Sequence, residues 1–488
     1  MDRRKINDYE RGSEALAVLH SPLSYGDNLH YEKFSNGSVK CIEDEVPFGL
    51  PDGWAWVRLG NLSAAIQYGL SNSAEPQGTH RLLRITDIQD GKVDWNAVPF
   101  TTVNDPEAYL LKTGDIVFAR TGATVGKSFL ITETPYPSVY ASYLIRIRLL
   151  GSLSPEYIYQ FFDSACYWSQ ITDKSVGVGQ PNCNGTSLKE LFIPLPPISE
   201  QLRIVPTAQA LLAYVAKIDA EKKSLLSIIM ATKSKILDLA IRGQLIPQDP
   251  NDEPASVLLE RIRAEKEELI KQGKIKRGKK ESVIFRGEDN SYYLNNGQTT
   301  VDINDDLPFD IPDSWRWVRL KDVFIINPRN KLDDDLDVSF IPMPLIGDGY
   351  SGKHATEVRH WKEVKNGFTH FAEGDVGVAK ITPCFENRKS TVFENLTNGY
   401  GAGTTELHVL RPFGNNIFVQ YLLAYIKSDY FVEKGKQTFT GDVGQQRISK
   451  AYVESAYFPL PPVKEQERIV QQIGIIFEFL NMIMDALS

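Results

Sequence analysis

The feature that most constrains this chain of 488 residues is that it repeats itself. Pro51-Asp-Gly-Trp54-Ala-Trp56-Val-Arg-Leu59 returns as Pro312-Asp-Ser-Trp315-Arg-Trp317-Val-Arg-Leu320. Pro194-Leu-Pro-Pro197-Ile-Ser-Glu200-Gln201-Leu-Arg203-Ile-Val205 returns as Pro459-Leu-Pro-Pro462-Val-Lys-Glu465-Gln466-Glu-Arg468-Ile-Val470. Between these lie Gly114-Asp115 and Gly374-Asp375, then Gly179-Gln180 and Gly444-Gln445. Anchors that recur in one order at nearly constant offset mark a duplicated unit. Residues 61–110 and 321–370 share little beyond scattered apolar positions. A constant frame around divergent interiors fits one scaffold with two specificities, or a duplication that drifted neutrally.

After each Pro-Leu-Pro-Pro the pattern turns helical. Ile204, Ala208, Leu211, Val215, Ile218, Lys222, Leu225, Ile229, Thr232, Ile236 and Leu239 step by four and three, a heptad seam with polar intruders at Lys222 and Thr232. Pro206 predicts a kink and Gly243 a helix stop. The second copy repeats the register at Ile469, Ile473, Ile476, Leu480, Ile483 and Leu487. Such seams need a partner: each other, or the globular unit beside them. Short β-branched runs such as Asp115–Arg120 and Leu144–Leu150, with brief helices at Tyr157–Phe162 and Val419–Tyr425, make each unit mixed α+β. The expected division is an atypical N-terminal segment (1–26), a first globular domain (27–194) and a first spacer helix (195–245). A charged helix with a basic linker (246–286), a second domain (287–458) and a short second helix (459–488) follow. Six basic residues between Lys271 and Lys280 form a solvated linker or touch phosphate.

Composition excludes several classes. With 42% apolar and 24% charged residues the chain is neither disordered nor fibrous. No run of about 18 apolar residues predicts a membrane-spanning helix. The N-terminus lacks a signal-peptide pattern, and four scattered cysteines suit a reducing cytoplasm. A net charge of −8 argues against non-specific coating of nucleic acid but permits a local basic groove. Catalytic signatures are missing. Gly122-Ala-Thr-Val-Gly126-Lys127-Ser128 has three residues between its glycines where a phosphate loop has four, and the second copy has no glycine there. No HExxH, GxSxG or Asn-Pro-Pro-aromatic motif occurs, and Asp90-Gly-Lys92 has no partner acid for a nuclease site.

The doubled order of Pro-Asp-x-Trp-x-Trp, Gly-Asp, Gly-Gln, Pro-Leu-Pro-Pro-x-x-Glu-Gln and long helix resembles the DNA-specificity subunit (S subunit) of type I restriction-modification systems. Ile236–Ser256 is also similar to that family's central region. The resemblance covers roughly residues 27–488. It implies two target-recognition domains of duplicated fold, separated by long helices packed as an antiparallel coiled coil with pseudo-twofold symmetry. Each domain would read one half of a bipartite, asymmetric site on double-stranded DNA, and the helices would fix the spacer. Two modification (methyltransferase) subunits would bind S-adenosylmethionine and methylate adenine. Restriction subunits would supply ATP- and Mg-dependent translocation and cleavage. This chain would hold no cofactor, no metal and no catalytic residue. Residues 1–26 do not match 223–288, so the circular closure seen in the family is expected to be incomplete, as in a rearranged or truncated allele.

Base reading needs rigidly held side chains, with phosphate contacts setting the register. The candidates lie where the Gly-Asp strand ends in a polar, basic turn: Arg120, Thr121, Thr124 and Lys127 in the first copy, and Lys380, Thr382, Asn387, Arg388 and Lys389 in the second. A second set follows the Gly-Gln anchors: Gln180 with Asn182, and Gln445 with Gln446 and Arg447. Amides bond adenine in two places, yet Gln180 and Gln445 equally suit a frame role, being common to both copies. The paired tryptophans fit packing better than base stacking. A coiled-coil scaffold that binds no DNA is the competing reading.

Overall fold

The entry and exit strands of each copy pair with one another, which explains why their sequences recur. In the computed structural model, described over residues 19–20, 29–34, 36–89, 91–174, 182–277, 282–414, 416–442 and 444–487, Ala55–Arg58 runs antiparallel to Phe192–Leu195. Arg316–Arg319 does the same with Tyr457–Leu460. The chain divides into two compact units, Met1–Ile218 and Asp219–Ser488, and each is built around this clasp.

Side chains complete the clasp. In the first unit Trp54 Nε1 donates to Glu200 at 3.2 Å. Gln201, buried, accepts from the Ser154 amide at 3.1 Å and donates to the Pro196 carbonyl at 2.9 Å. In the second, Trp315 donates to Glu465 at 2.9 Å, and Gln466 accepts from the Phe418 amide and donates to the Pro461 carbonyl, both at 2.9 Å. Ser154 and Phe418 are the N-cap residues of equivalent helices, Pro155–Phe161 and Val419–Ile426. The glutamine therefore ties the exit strand to an interior helix. From those helices Tyr157 and Tyr421 donate to the carbonyls of Pro194 and Pro459. Trp56, Trp315 and Trp317 are buried, so three of the four tryptophans pack as expected.

Each unit contains a four-stranded antiparallel sheet of the same topology. The order is Ser128–Leu130, Ile116–Ala119, Leu144–Leu149, Ser63–Tyr68 in the first. In the second it is Ser390–Val392, Val376–Ala379, Leu407–Pro412, Phe324–Ile326. A second small sheet in each contains one parallel pair, Ser138–Tyr140 with His80–Leu83 and Tyr400–Gly403 with Asp337–Ile341. The Asp of each Gly-Asp anchor is structural. Asp115 binds Arg148 at 2.6 and 2.8 Å and the Lys112 amide, while Asp375 binds Arg411 at 2.7 and 2.8 Å and the Ala372 amide.

The long helix spans Ile198–Ile241 and continues through Pro206. It ends as anticipated at Gly243. The glycine sits at φ +70°, its amide reaches the Ala240 carbonyl, and the Gln244 amide reaches the Leu239 carbonyl, which is the Schellman pattern. In the second unit the rest of this helix packs antiparallel to Val463–Leu487. Lys233 meets Asn481 while Gln248 meets Glu465 and Asp252 meets Arg468. The buried stripe is Ile229, Lys233, Leu237 and Ala240. It coincides with the expected seam at Ile229 and runs one residue beyond it from Lys233 onward, because a helix of 3.6 residues per turn drifts from a strict heptad. The polar intruder is accordingly Lys233 and not Thr232, which faces solvent and bonds the Ile228 carbonyl. In the first unit the expected seam residues Leu211, Val215 and Ile218 are exposed. Val463–Leu487 holds no uninterrupted apolar run of 18 residues, yet its mean hydropathy reaches 1.3 over a window of that length, enough by length and composition for a membrane span. Its first turns are buried against the clasp and the long helix, with Ile469 and Ile473 inside.

The central helix Ala255–Lys271 belongs to the second unit, burying Leu258, Leu259 and Ile262 in the same core as Trp315. A cationic strut joins that core to a loop. Lys427 is only 3% exposed and donates to the carbonyls of Gly349 at 2.7 Å and Arg388 at 2.8 Å.

Two outcomes follow for stability. Gln466→Ala leaves the Phe418 amide and the Pro461 carbonyl without partners, a cost of about 1–3 kcal/mol, read as faster hydrogen exchange over residues 419–460. Burial pulls the Lys427 amine down to about 7 from its ordinary 10.5. Between those values the unfolded chain binds more protons, so stability rises with pH, by up to about 1.4 kcal/mol per pH unit. Denaturation midpoints at pH 7 and pH 9 should show this rise in the parent chain and its loss in Lys427→Met.

Candidate nucleic-acid interface

The strand after each Gly-Asp anchor is buried along its length, Ile116–Ala119 and Val376–Ala379, and then emerges. Emergence fixes where polar side chains can first reach solvent. In the first unit Arg120 is that residue. Its amide donates to the Tyr143 carbonyl at 3.0 Å and its carbonyl accepts from the Cys183 amide at 3.0 Å. Thr121 then forms a β-bridge with Asn182. The two sequence-predicted sets of the first copy therefore meet at one edge. Asn182 is exposed there, whereas Gln180 lies outside the described residues. The Arg120 guanidinium lies 4.9 Å over the Tyr68 ring, whose hydroxyl accepts from the Gly185 amide. Thr124 is turned inward to the Thr121 carbonyl, while Lys127 is exposed on the return of the turn.

The second unit repeats the edge. The Lys380 amide donates to the Glu406 carbonyl and the Lys380 carbonyl accepts from the Ile448 amide, both at 2.9 Å. Ile381 bridges Arg447. Thr382 exchanges two bonds with Gln446, amide to carbonyl at 2.9 Å and amide to Oγ1 at 3.1 Å. Arg447 grips Glu406 with Nε at 2.9 Å and Nη2 at 3.0 Å, and its Nη1 donates to the Gln445 carbonyl. Those bonds hold the Glu406 carboxyl below the ordinary carboxylate range, against a smaller upward push from burial.

Three other predicted residues have internal duties. Arg388 adopts φ +55°, donates from Nε to the Lys427 carbonyl and pairs with Asp429. Lys389 donates to the Ile346 carbonyl at 2.9 Å. Asn387 has an exposed side chain, and its carbonyl accepts from the Gly349 amide. Sequence reasoning missed Tyr143 and Glu406. Each directly precedes a buried strand, Leu144–Leu149 or Leu407–Pro412, and only the register against the Gly-Asp strand reveals the equivalence. Among the described residues no group of three or more His, Cys, Asp or Glu side chains is placed to hold a metal ion.

The family model for the type I restriction modification DNA specificity domain matches residues 51–228 and again 312–484. The specificity subunit of the type I restriction enzyme EcoAI from Escherichia coli is 48% identical over 243 residues, and that of EcoEI is 46% identical over 243. Each alignment takes in 50% of this chain, and the chain spans only 38% of the length of either relative. The putative MjaX specificity subunit of Methanocaldococcus jannaschii is 22% identical over 443 residues, 89% of both chains. In fold, the chain is similar to the HsdS subunit from Thermoanaerobacter tengcongensis (TM-score 0.51, 19% identity, 91% of this chain and 94% of that one). A chain from a structural study of type I restriction-modification complex assembly is likewise similar (TM-score 0.53, 19% identity, 90% and 94%). With its domain model matched twice over most of its length, each match beginning at the Pro-Asp-x-Trp strand and running into the helix behind the clasp, this chain belongs to the type I restriction modification DNA specificity family.

Proposed function

We propose that the chain is the DNA-specificity subunit of a type I restriction-modification complex, with each unit reading one half of a bipartite, asymmetric site in double-stranded DNA. The observation that carries this reading is the pair of equivalent edges, one per unit, where a buried strand delivers diverged polar side chains on a common backbone. Reading by two rigid edges requires a fixed separation, and the antiparallel helices are the elements suited to hold it. The bond-making steps belong to partners: two modification subunits that bind S-adenosylmethionine and methylate adenine, and restriction subunits that use ATP and Mg to translocate and cleave. The exposed apolar residues Leu211, Leu212, Val215 and Ile218 form a surface open to a partner subunit. The cytoplasm, where the DNA is, is the compartment this assigns.

Mapping methylated adenines in a genome that carries this chain and its modification partner tests the reading. Two short specified blocks separated by an unread spacer of constant length are expected; a contiguous motif, or no added methylation, refutes it. A mobility shift on random and cognate duplex in the presence of the partner separates it from a scaffold that binds no DNA. Lys127, exposed beside the first edge, suits a phosphate. Lys127→Ala should weaken binding to all sequences alike and lower the slope of log affinity against log salt by roughly 1.

A further inference from the structure

We propose that three matched positions, Arg120, Tyr143 and Asn182 in the first unit and Lys380, Glu406 and Arg447 in the second, are where the two readers choose different bases. The proposal rests on the DNA-reading function above and assigns it to particular side chains.

The match is made by backbone, not by sequence. Both edges use the same three connections: amide of the first residue to carbonyl of the second, carbonyl of the first to the amide after the third, and a β-bridge beside it. The supports beneath are equivalent and buried, Ala119 with Ala379, Leu144 with Leu407, and Cys183 with Ile448. Upon this constant base the second and third side chains change charge, Tyr143 to Glu406 and Asn182 to Arg447, while Arg120 and Lys380 keep a cation of different shape and hydrogen-bonding geometry. The Gly-Asp, Trp-Glu and Gln residues, which also recur in both units, are all engaged in holding the frame. Positions that share a backbone, reach solvent and diverge in chemistry are what two readers of unlike half-sites require.

Glu406 makes the assignment specific. A carboxylate is repelled by phosphate, and among base edges in the major groove it can only accept, from cytosine N4 or adenine N6. Arg447 occupies one lone pair on each Glu406 oxygen and orients the group, leaving further acceptor capacity on both. The second reader therefore selects cytosine or adenine on the strand that Glu406 faces. At the matched place the first reader has Tyr143, 55% exposed, on the same edge as Asn182, which bridges the neighbouring Thr121. A phenol and an amide donate as well as accept, and an amide fits adenine in two places.

The test is selection from a duplex library randomised across the site, using the full chain with its modification partner. The parent chain is expected to recover a two-part motif. Glu406→Gln should reduce discrimination at one base pair of one part by roughly ten- to a hundredfold and leave the other part unchanged, which also reports that the variant is folded. Tyr143→Ala, at an exposed position, should alter only the opposite part. If the parent recovers its motif and neither substitution changes any position, the assignment fails while the DNA-reading function stands. If the parent recovers no motif, both fail.

Discussion

The structure depends on a clasp in which an indole donates to a glutamate one turn into a long helix, and the next residue, a glutamine, stitches that turn to an interior helix. The clasp has to be polar because it joins backbone groups that no regular element satisfies: the carbonyl before a proline and the amide at a helix start. A buried glutamine carries an acceptor oxygen and a donor NH2 on one planar amide, so it can close both at once. Leaving either group bare costs more than the bond itself contributes. For the same reason the Glu-Gln pair and its tryptophan reappear in the second copy after the intervening sequence has diverged.

Closing each unit at its root frees the opposite edge. The strand that follows Gly-Asp is held by a buried carboxylate–guanidinium pair, Asp115 with Arg148 and Asp375 with Arg411, so its end is fixed whatever residues come next. In the second unit burial pushes the Asp375 carboxyl upward and Arg411 opposes it, so one group answers the cost of placing the other inside. Precision at the edge is thereby supplied by residues that never face a ligand. Side chains such as Tyr143 and Glu406 are then free to differ without disturbing the fold.

Much of this was legible in the sequence. The duplication, the mixed α+β units, the long helices and the glycine stop at Gly243 all follow from spacing, because repeats and helical periodicity are local signals, whereas the antiparallel packing came only with the family resemblance. The exposed edge was half legible. Arg120, Lys380, Asn182 and Arg447 stand next to recurring anchors, and the structure brings Asn182 to the edge of Arg120 and Arg447 to that of Lys380. Tyr143 and Glu406 stand before strands whose register is set by pairing across the sheet, which spacing cannot express. Arg388 and Lys389 looked like free cations in a polar turn, yet Asp429 and two backbone carbonyls claim them. A charge count cannot show such partners. The seam was displaced by one residue for a related reason: a strict heptad was read onto a helix that turns every 3.6 residues.

That displacement has a physical consequence in the second unit. An apolar seam alone would tolerate sliding, since one isoleucine replaces another at little cost. Lys233 does not tolerate it. The amine is buried, its charged form is disfavoured there, and it reaches Asn481 with the Phe477 ring 5.6 Å away. Sliding by one heptad would strip it of that partner while leaving it inside, and an unpaired buried amine is far costlier than the packing it disturbs. A single polar pair thus selects one register for two otherwise permissive helices. Gln248 with Glu465 and Arg468 with Asp252 enforce the same register nearer the clasp.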